Sequence, residues 1–290
     1  TERLLNDQIL PCVDTPAIVP PRFNKQTIRH RRPYAPGKDA CHDPKLKSIS
    51  KKASAMFNVT EAWKAAYPDA HAGILVMQSV GNPNTHPELE HLKQDLERRL
   101  RAQFAGKDRK VLETFSTIPA YTHYCKQFKK TYHVQAQLES IAFKGRSIPS
   151  VGALVTAMFM AEVKNLLLTA GHDLDSLHLP VTLDVAAGDE SYTLLRGQGQ
   201  VLKAGDMMMA DRAGVISSIV YGPDRRTQIR AETRNVLFAV YAPAGISATA
   251  VQAHLQDIRD YVSVVSPGAA VHTLQVFGAG RNSDLPLLRA

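Results

Sequence analysis

The second half of the sequence is a series of short apolar segments separated by glycine-containing breaks. Each segment has the length of one strand and is rich in β-branched, aromatic or methionine residues, and the breaks contain Gly-Asp or Gly-Pro pairs typical of turns. Apolar residues in the first half recur instead at helical spacing. Because most helices precede the run of strands, the sequence predicts an α+β fold with helices packed on a mostly antiparallel sheet, not a doubly wound sheet. The predicted strands span residues 73–80, 181–185, 192–195, 199–202, 207–210, 215–221, 227–231, 236–241 and 271–277.

Four segments carry helix signals. The clearest helix begins at Thr85, which forms a capping box with Glu88, and it carries leucines at helical spacing until Gly106 ends it. A helix at 151–168 is apolar on every side, which predicts that it is buried. The remaining two helices are predicted at 133–143 and after a cap at Ser247.

Positive charge is concentrated near the N-terminus. Residues 22–52 contain ten Lys or Arg and two Asp, a net +8 that equals the formal charge of the whole chain. Residues 1–52 also contain seven prolines, which remove backbone donors and disfavour regular structure. We therefore predict a basic Pro-rich arm at 1–52 and an α+β domain at 53–290.

The arm is a candidate RNA contact, because Lys and Arg gain affinity for nucleic acids by releasing phosphate counterions. The alternative is a solvated arm that binds no ligand. The predicted RNA contacts are Arg22, Lys25, Arg29, Arg31, Arg32 and Lys38.

Several classes of protein are disfavoured by the sequence. The apolar, uncharged stretch 147–161 has 15 residues, short of the roughly 18–20 that a membrane helix needs. The three cysteines are far apart and form no C-x-x-C pair, which disfavours a disulfide framework or zinc site and predicts a cytoplasmic protein. A phosphate-binding glycine loop, a G-x-S-x-G elbow and an H-E-x-x-H helix are all absent, so no cofactor and no metal are predicted.

A set of short motifs in fixed order carries a family resemblance. Together they resemble the B3/B4 domain of the phenylalanyl-tRNA synthetase beta subunit, in the free-standing form that lacks the rest of the synthetase. The resemblance covers about residues 55–243 and implies a B3/B4-like fold. The motifs are Ile148-Pro149, Leu154-Val155-Thr156, Asp173-Leu174-Asp175-Ser176-Leu177, Gly205-Asp206, Ala210-Asp211 and Glu232-Thr233-Arg234-Asn235-Val236-Leu237.

The resemblance implies a function in tRNA editing. In the synthetase this domain hydrolyses tyrosine wrongly esterified to the phenylalanine tRNA, in a pocket between its helical and strand parts. An aminoacyl ester is already activated, so a positioned water, an oxyanion donor and an amino-acid pocket suffice for its hydrolysis. The expected partner is therefore tRNA or aminoacyl-tRNA, with no DNA and no membrane, and the expected activity is deacylation of misacylated tRNA in trans. A non-catalytic RNA-binding module and an acyl-transfer enzyme that uses aminoacyl-tRNA remain the alternatives.

Site residues follow from the motif positions. His172 is the candidate general base, Asp173 would fix its tautomer or bind the substrate ammonium group, and Thr233 would hold the ester or the terminal adenosine. Where the family pattern has Asn, His and Glu, this chain has Ala157, Ala170 and Ala239. The same His172 and Asp173 are also compatible with a helix end and a capping residue. The candidate substrate-binding residues are Ala157, Glu162, Gly205, Asp211, Arg230 and Asn235.

Overall fold

The structure, a computed structural model, describes residues 56–278. The predicted basic arm lies outside the described residues, as do its candidate RNA contacts between residues 22 and 38. The described helices are α1 (Glu61–Ala66), α2 (Pro87–Phe104), α3 (Thr117–Gln127), α4 (His133–Ala142), α5 (Ala153–Asn165) and α6 (Ala248–Val265), with short 3-10 helices at Arg109–Thr114 and Leu174–Ser176. The strands are β1 (Phe57–Val59), β2 (His71–Gln78), β3 (Thr169–Asp173), β4 (Val181–Val185), β5 (Ser191–Thr193), β6 (Gly199–Val201), β7 (Met207–Asp211), β8 (Gly214–Ser218), β9 (Gly222–Pro223), β10 (Asn235–Ala242) and β11 (Ala270–Gly278).

The strands form two main sheets and one hairpin. The first sheet has four antiparallel strands in the order β11-β2-β10-β3, and helices α5 and α6 contact it. The second sheet has five strands in the order β1-β4-β7-β8-β9, in which only β1 and β4 run parallel. Strands β5 and β6 form the separate hairpin. The predicted α+β fold with helices on mostly antiparallel strands is confirmed.

Strand β10 lies at the centre of the core. It pairs with β2 on one side and with β3 on the other, and its residues 236–242 are all buried. Most buried apolar side chains form one connected cluster that runs from Phe57 in β1 to Val262 in α6, and a smaller cluster around Tyr192 and Leu202 is separate from it. Within residues 56–278, no helix is apolar over a length that could cross a bilayer.

The strand β3 positions the candidate site residues. Successive side chains of a strand point to opposite faces, so Ala170 and His172 share one face and Gly171 lies on the other. On that other face a Cβ at position 171 would lie 2.8 Å from Ile229 Cδ1 and 3.3 Å from Met158 Sδ. The absence of a side chain at Gly171 therefore lets helix α5 approach the sheet closely.

The helix predicted at 151–168 ends three residues early, and His172 lies in a strand rather than at a helix end. Helix α5 ends at Asn165, Leu166 takes a left-handed backbone conformation with φ of 59°, and the chain then enters β3. The local sequence favours a longer helix, but pairing with β10 satisfies the backbone groups of β3 and overrides that preference.

Three smaller differences concern a helix cap, a predicted strand that does not form and a helix that was not predicted. The N-cap of α2 is His86, whose side chain accepts from the Leu89 backbone N–H, because Pro87 occupies the first helical position where it needs no donor. Residues 227–231, predicted as a strand, form part of an irregular loop. Helix α3 was not predicted, because tyrosine and cysteine supply much of its buried face in place of regularly spaced leucines.

Candidate functional site

A small cleft lies between the edge strand β3 and the second sheet. Ala170 of β3, Ser218 of β8, Tyr241 of β10 and His133 at the start of α4 contribute to its lining. The space available to the centres of water-sized spheres is about 20 Å³, which is enough for about one water molecule. The imidazole of His133 and the Ala170 side chain therefore line the same cleft although they belong to different elements.

The imidazole of His133 is the group in this cleft that could take a proton. Its Nε2 is buried and has no hydrogen-bond partner. Burial lowers the pKa of His133 to about 4; the Thr131 backbone opposes that shift as a hydrogen-bond acceptor, and the Lys130 charge lowers the pKa further. At neutral pH the ring is therefore uncharged, and its unpaired nitrogen is the one that can accept a proton.

Hydroxyl groups line the other side of the cleft in fixed positions. The Tyr241 hydroxyl lies 2.7 Å from Ser217 Oγ, and burial raises the pKa of this phenol, so it is protonated. The Tyr121 hydroxyl donates to the Tyr241 carbonyl and accepts from the Leu168 backbone N–H at 3.0 Å. Ser218 Oγ accepts from the Tyr221 backbone N–H at 3.1 Å, and the Ser218 hydroxyl also hydrogen-bonds to Asp206. The cleft thus combines a neutral imidazole with hydroxyl groups that neighbouring residues hold in place.

A buried carboxyl group lies behind Ser218. Asp206 Oδ1 accepts from the Tyr124 hydroxyl at 2.7 Å, and that hydroxyl accepts from the Met207 backbone N–H at 2.6 Å. Asp206 Oδ2 has no hydrogen-bond partner. Burial raises the pKa of Asp206 to about 6, and the Tyr124 and Ser218 hydroxyls act against that shift. Asp206 was quoted for the motif but was not among the predicted site residues.

His172, the predicted base, is fully buried and does not line this cleft. Its Nδ1 lies 2.8 Å from Thr227 Oγ1, and the Thr227 hydroxyl donates to Asp224 Oδ1. Since that hydroxyl has a single proton, Nδ1 is the donor to Thr227, and Nε2 keeps an unpaired lone pair. Burial lowers the pKa of His172 to about 3; Arg226 lowers it further and Asp211 opposes the shift.

The other predicted catalytic residues are brought together, but they satisfy one another. Thr233 Oγ1 donates to Asp173 Oδ2 at 2.6 Å and accepts from the Arg230 backbone N–H at 2.9 Å. Asp173 Oδ1 accepts from the Asp175 backbone N–H at 3.0 Å. Asn235 Nδ2 donates to both carboxylate oxygens of Asp175 at 3.0 Å. These contacts connect the segment after β3 to the segment that leads into β10.

The remaining predicted substrate-binding residues lie apart from that group. Ala157 and Glu162 are completely buried in α5; Glu162 Oε1 accepts from the Thr169 backbone N–H at 2.7 Å, and burial raises the pKa of Glu162 well above its ordinary value. Gly205 has a φ of 87°, and its carbonyl accepts from the Tyr67 hydroxyl. Among residues 56–278, no group of three or more His, Cys, Asp or Glu side chains is arranged to hold a metal ion.

Asp211 forms a two-point ion pair with Arg226. Arg226 donates to both of its oxygens at 2.9 Å. Burial alone would raise the pKa of Asp211, but the Arg226 guanidinium and the backbone N–H groups of His178 and Ala213 outweigh it and lower the pKa. Asp211 therefore anchors the loop that follows β9.

The residues that sequence reasoning missed are His133, Ser218 and Tyr241. His133 begins a predicted helix, and its burial depends on strands that lie more than 80 residues further along the chain. The sequence signal that could have indicated Ser218 is the pair Ser217-Ser218, two polar residues within a predicted strand whose other residues are mostly apolar.

Comparisons with known proteins give a remote similarity to solved structures. No protein-family model matches the chain, and no curated protein matches it. A solved structure that resembles it is an N-terminal fragment of the phenylalanyl-tRNA synthetase beta subunit from Pyrococcus horikoshii, with a TM-score of 0.40 and 13% sequence identity. The match covers 74% of this chain and 50% of that one, so the chain spans about half the length of its neighbour. A likeness this remote assigns no family and no activity.

Proposed function

We propose that the protein binds the aminoacylated end of a tRNA and hydrolyses the ester bond at the cleft formed by His133, Ala170 and Ser218. The observation that supports this most directly is the unpartnered Nε2 of His133 in the cleft. It supplies an imidazole beside Ala170, the position where the family pattern has a histidine. The proposal assigns the role of base to His133 and gives His172 a structural role.

The chemistry requires one water and one ester. A water in the cleft can donate one proton to His133 Nε2 and the other to Ser218 Oγ, whose second lone pair is an acceptor. As the water oxygen adds to the ester carbonyl, its proton passes to Nε2. The imidazolium then gives that proton to the leaving ribose oxygen, and the free amino acid and deacylated tRNA are the products. General-base assistance of this kind contributes about 10²–10⁴-fold to a rate.

The size of the cleft restricts where the substrate can lie. Its space accommodates a water but not an amino-acid side chain. The ester therefore lies at the mouth of the cleft, with the water inside. Selectivity for one amino acid then depends on residues around the mouth rather than on a deep side-chain pocket.

The experiment is incubation with a panel of mischarged tRNAs, with free amino acid and remaining ester measured over time. His133→Ala should slow ester loss by about 10²–10⁴-fold while tRNA binding persists. His91→Ala, which changes an exposed histidine on α2, is the matched control and should leave the rate unchanged. If His133→Ala is as fast as the wild-type protein, His133 is not the base.

The non-catalytic RNA-binding module remains a second candidate. It is favoured by the mutual satisfaction of Asp173, Thr233 and the Arg230 backbone, which occupies the carboxylate and the hydroxyl that were predicted to act on the substrate. Binding of tRNA without ester loss for any member of the panel would select this function. Loss of the ester without release of free amino acid would indicate acyl transfer instead.

A further inference from the structure

The loop between β9 and β10, residues 224–234, presents three exposed arginines. Arg225, Arg230 and Arg234 are all solvent-exposed. Of the four arginines in this loop, Arg226 alone forms ion pairs with described residues. The other three guanidinium groups therefore carry charge that no carboxylate within residues 56–278 neutralises at ion-pair distance.

Buried side chains hold this loop in place between the exposed arginines. Asp224, Thr227 and Thr233 are each at most 3% exposed. Asp224 Oδ1 accepts from the backbone N–H of Thr227 at 3.1 Å, and the Thr227 carbonyl accepts from the Asp173 backbone N–H at 2.7 Å. Thr233 donates to Asp173 at 2.6 Å. The loop is irregular, but its polar groups are satisfied by fixed neighbours, so it presents its arginines from a defined backbone.

Each exposed arginine also has its own backbone attachment. The Arg225 N–H donates to the Thr193 carbonyl at 2.8 Å. The Arg230 carbonyl accepts from Asn82 Nδ2 at 2.8 Å. The Arg234 carbonyl accepts from the Val80 backbone N–H at 2.9 Å. Strand β5 and the segment that follows β2 thus fix the backbone at the three positions, which lowers the entropy lost when a ligand binds.

The β5–β6 hairpin extends the positive surface. A Cβ on Gly197 would lie 2.9 Å from Arg225 Nη1, so the Arg225 guanidinium lies over the turn of this hairpin. Arg196, in the same turn, is exposed. Exposed acidic groups near the loop are few: Glu232 is exposed within it, while the carboxylate of Asp175 accepts from Asn235.

We infer that Arg225, Arg230 and Arg234 form a preorganised surface that binds the phosphate backbone of RNA. This inference rests on the proposed function and names the surface through which the described part of the chain would hold tRNA. Guanidinium groups donate two parallel hydrogen bonds to phosphate oxygens, which a lysine cannot do. All three positions are arginine, and the three are held on one short loop.

The loop adjoins the cleft along the chain. Gly222 and Pro223 of β9 line the cleft, and the loop begins at the next residue, Asp224. A tRNA end that reaches the cleft therefore passes close to this loop.

The test compares two full-length variants that remove the same charge. One carries Arg225→Gln, Arg230→Gln and Arg234→Gln, and the other neutralises three exposed residues elsewhere, Arg98→Gln, Arg99→Gln and Lys107→Gln. Binding of an uncharged, fluorescently labelled tRNA transcript is measured from low to high salt. Circular dichroism and the urea midpoint check that both variants are folded.

The loop variant should bind tRNA more weakly and with a flatter salt dependence. Each phosphate contact contributes about 0.7–0.9 to the slope of log K against log salt, so three lost contacts lower it by about 2–3. The control variant should lose much less. Equal effects of the two variants, or a loop variant with the wild-type slope, would overturn the inference.

The outcomes separate this inference from the proposed function. If the wild-type protein releases no amino acid from any tRNA but the loop variant still loses tRNA affinity, the surface stands and the deacylase proposal fails. If the wild-type protein deacylates and the loop variant binds tRNA normally, the deacylase proposal stands and the surface is wrong. Loss of binding to anionic phosphatidylserine vesicles, with tRNA binding intact, would show a lipid surface and also overturn the inference.

Discussion

The hydroxyl of Thr227 joins two buried groups, and its removal should destabilise the fold. Thr227 is completely buried and lies between the imidazole of His172 and the carboxylate of Asp224. Thr227→Val keeps the shape of the side chain but replaces the hydroxyl with a methyl group. It therefore opens no cavity and tests the hydrogen bonds alone.

The expected cost follows from the two contacts that are lost. His172 Nδ1 is left as an unsatisfied buried donor, which costs about 1–3 kcal/mol. Asp224 loses a hydrogen bond to a charged group, worth about 1.5–3 kcal/mol, although it keeps the Thr227 backbone N–H at 3.1 Å. The free energy of unfolding should fall by about 2.5–6 kcal/mol, the sum of the two.

Urea denaturation followed by circular dichroism measures this change through the midpoint at constant slope. Thr227→Ser is the matched control, because it keeps the hydroxyl and removes one methyl group, for a cost of about 0.8 kcal/mol. If Thr227→Ser destabilises as much as Thr227→Val, or if Thr227→Val lies within about 0.5 kcal/mol of the wild-type protein, the hydroxyl does not stabilise the fold in this way.

Three further perturbations test the packing, the pH dependence and the arm. In Gly73→Ala the new Cβ would lie 2.5 Å from Val251 Cγ1, so unfolding in urea should show a loss of about 1–3 kcal/mol, whereas Gly268→Ala, with no atom within 4 Å, should be close to neutral. Because the pKa of His172 is lowered to about 3, the unfolded chain takes up a proton that the folded protein does not, and the free energy of unfolding falls as the pH drops from about 6.5 toward 3. His172→Gln should reduce the slope of the unfolding free energy against pH by about 1.4 kcal/mol per pH unit. An unchanged slope would contradict this explanation. Neutralising the arm should lower the slope of log K for tRNA binding against log salt by up to about 0.9 for each lost contact. An unaltered slope would show that the arm does not contact RNA. The substitutions are to Gln at Arg22, Lys25, Arg29, Arg31, Arg32 and Lys38.

Local signals in the sequence were sufficient for much of the fold. The strands at Val181–Val185 and Asn235–Ala242 and the helix that follows the Ser247 cap all lie within two residues of their predicted bounds or cap. Each depends on neighbouring residues: a run of strand-forming side chains, a glycine turn, or a capping hydroxyl bonded to a backbone N–H three residues later. Such signals lie within a few neighbouring residues, so a single sequence is sufficient to recognise them.

The candidate site depends instead on contacts between distant parts of the chain. His172 was predicted as the base because an imidazole suits proton transfer. In the structure its Nδ1 hydrogen-bonds to Thr227, 55 residues away, within a buried network. Residues 169–173 become a strand because β10, more than 60 residues later, offers its free edge. Neither burial nor the choice of a pairing partner is encoded within a short window.

By itself, the sequence determined the α+β class, the positions of its most regular elements and the placement of the net charge at residues 22–52. Only the tertiary structure decided which polar groups remain available. In the folded chain the Thr233 hydroxyl donates to the Asp173 carboxylate, whereas His133 Nε2 has no hydrogen-bond partner in the cleft that Ser218 also lines. The physical reason is that a polar side chain loses its capacity for chemistry when it has found its hydrogen-bond partners, and those partners are chosen by the packing of the whole chain.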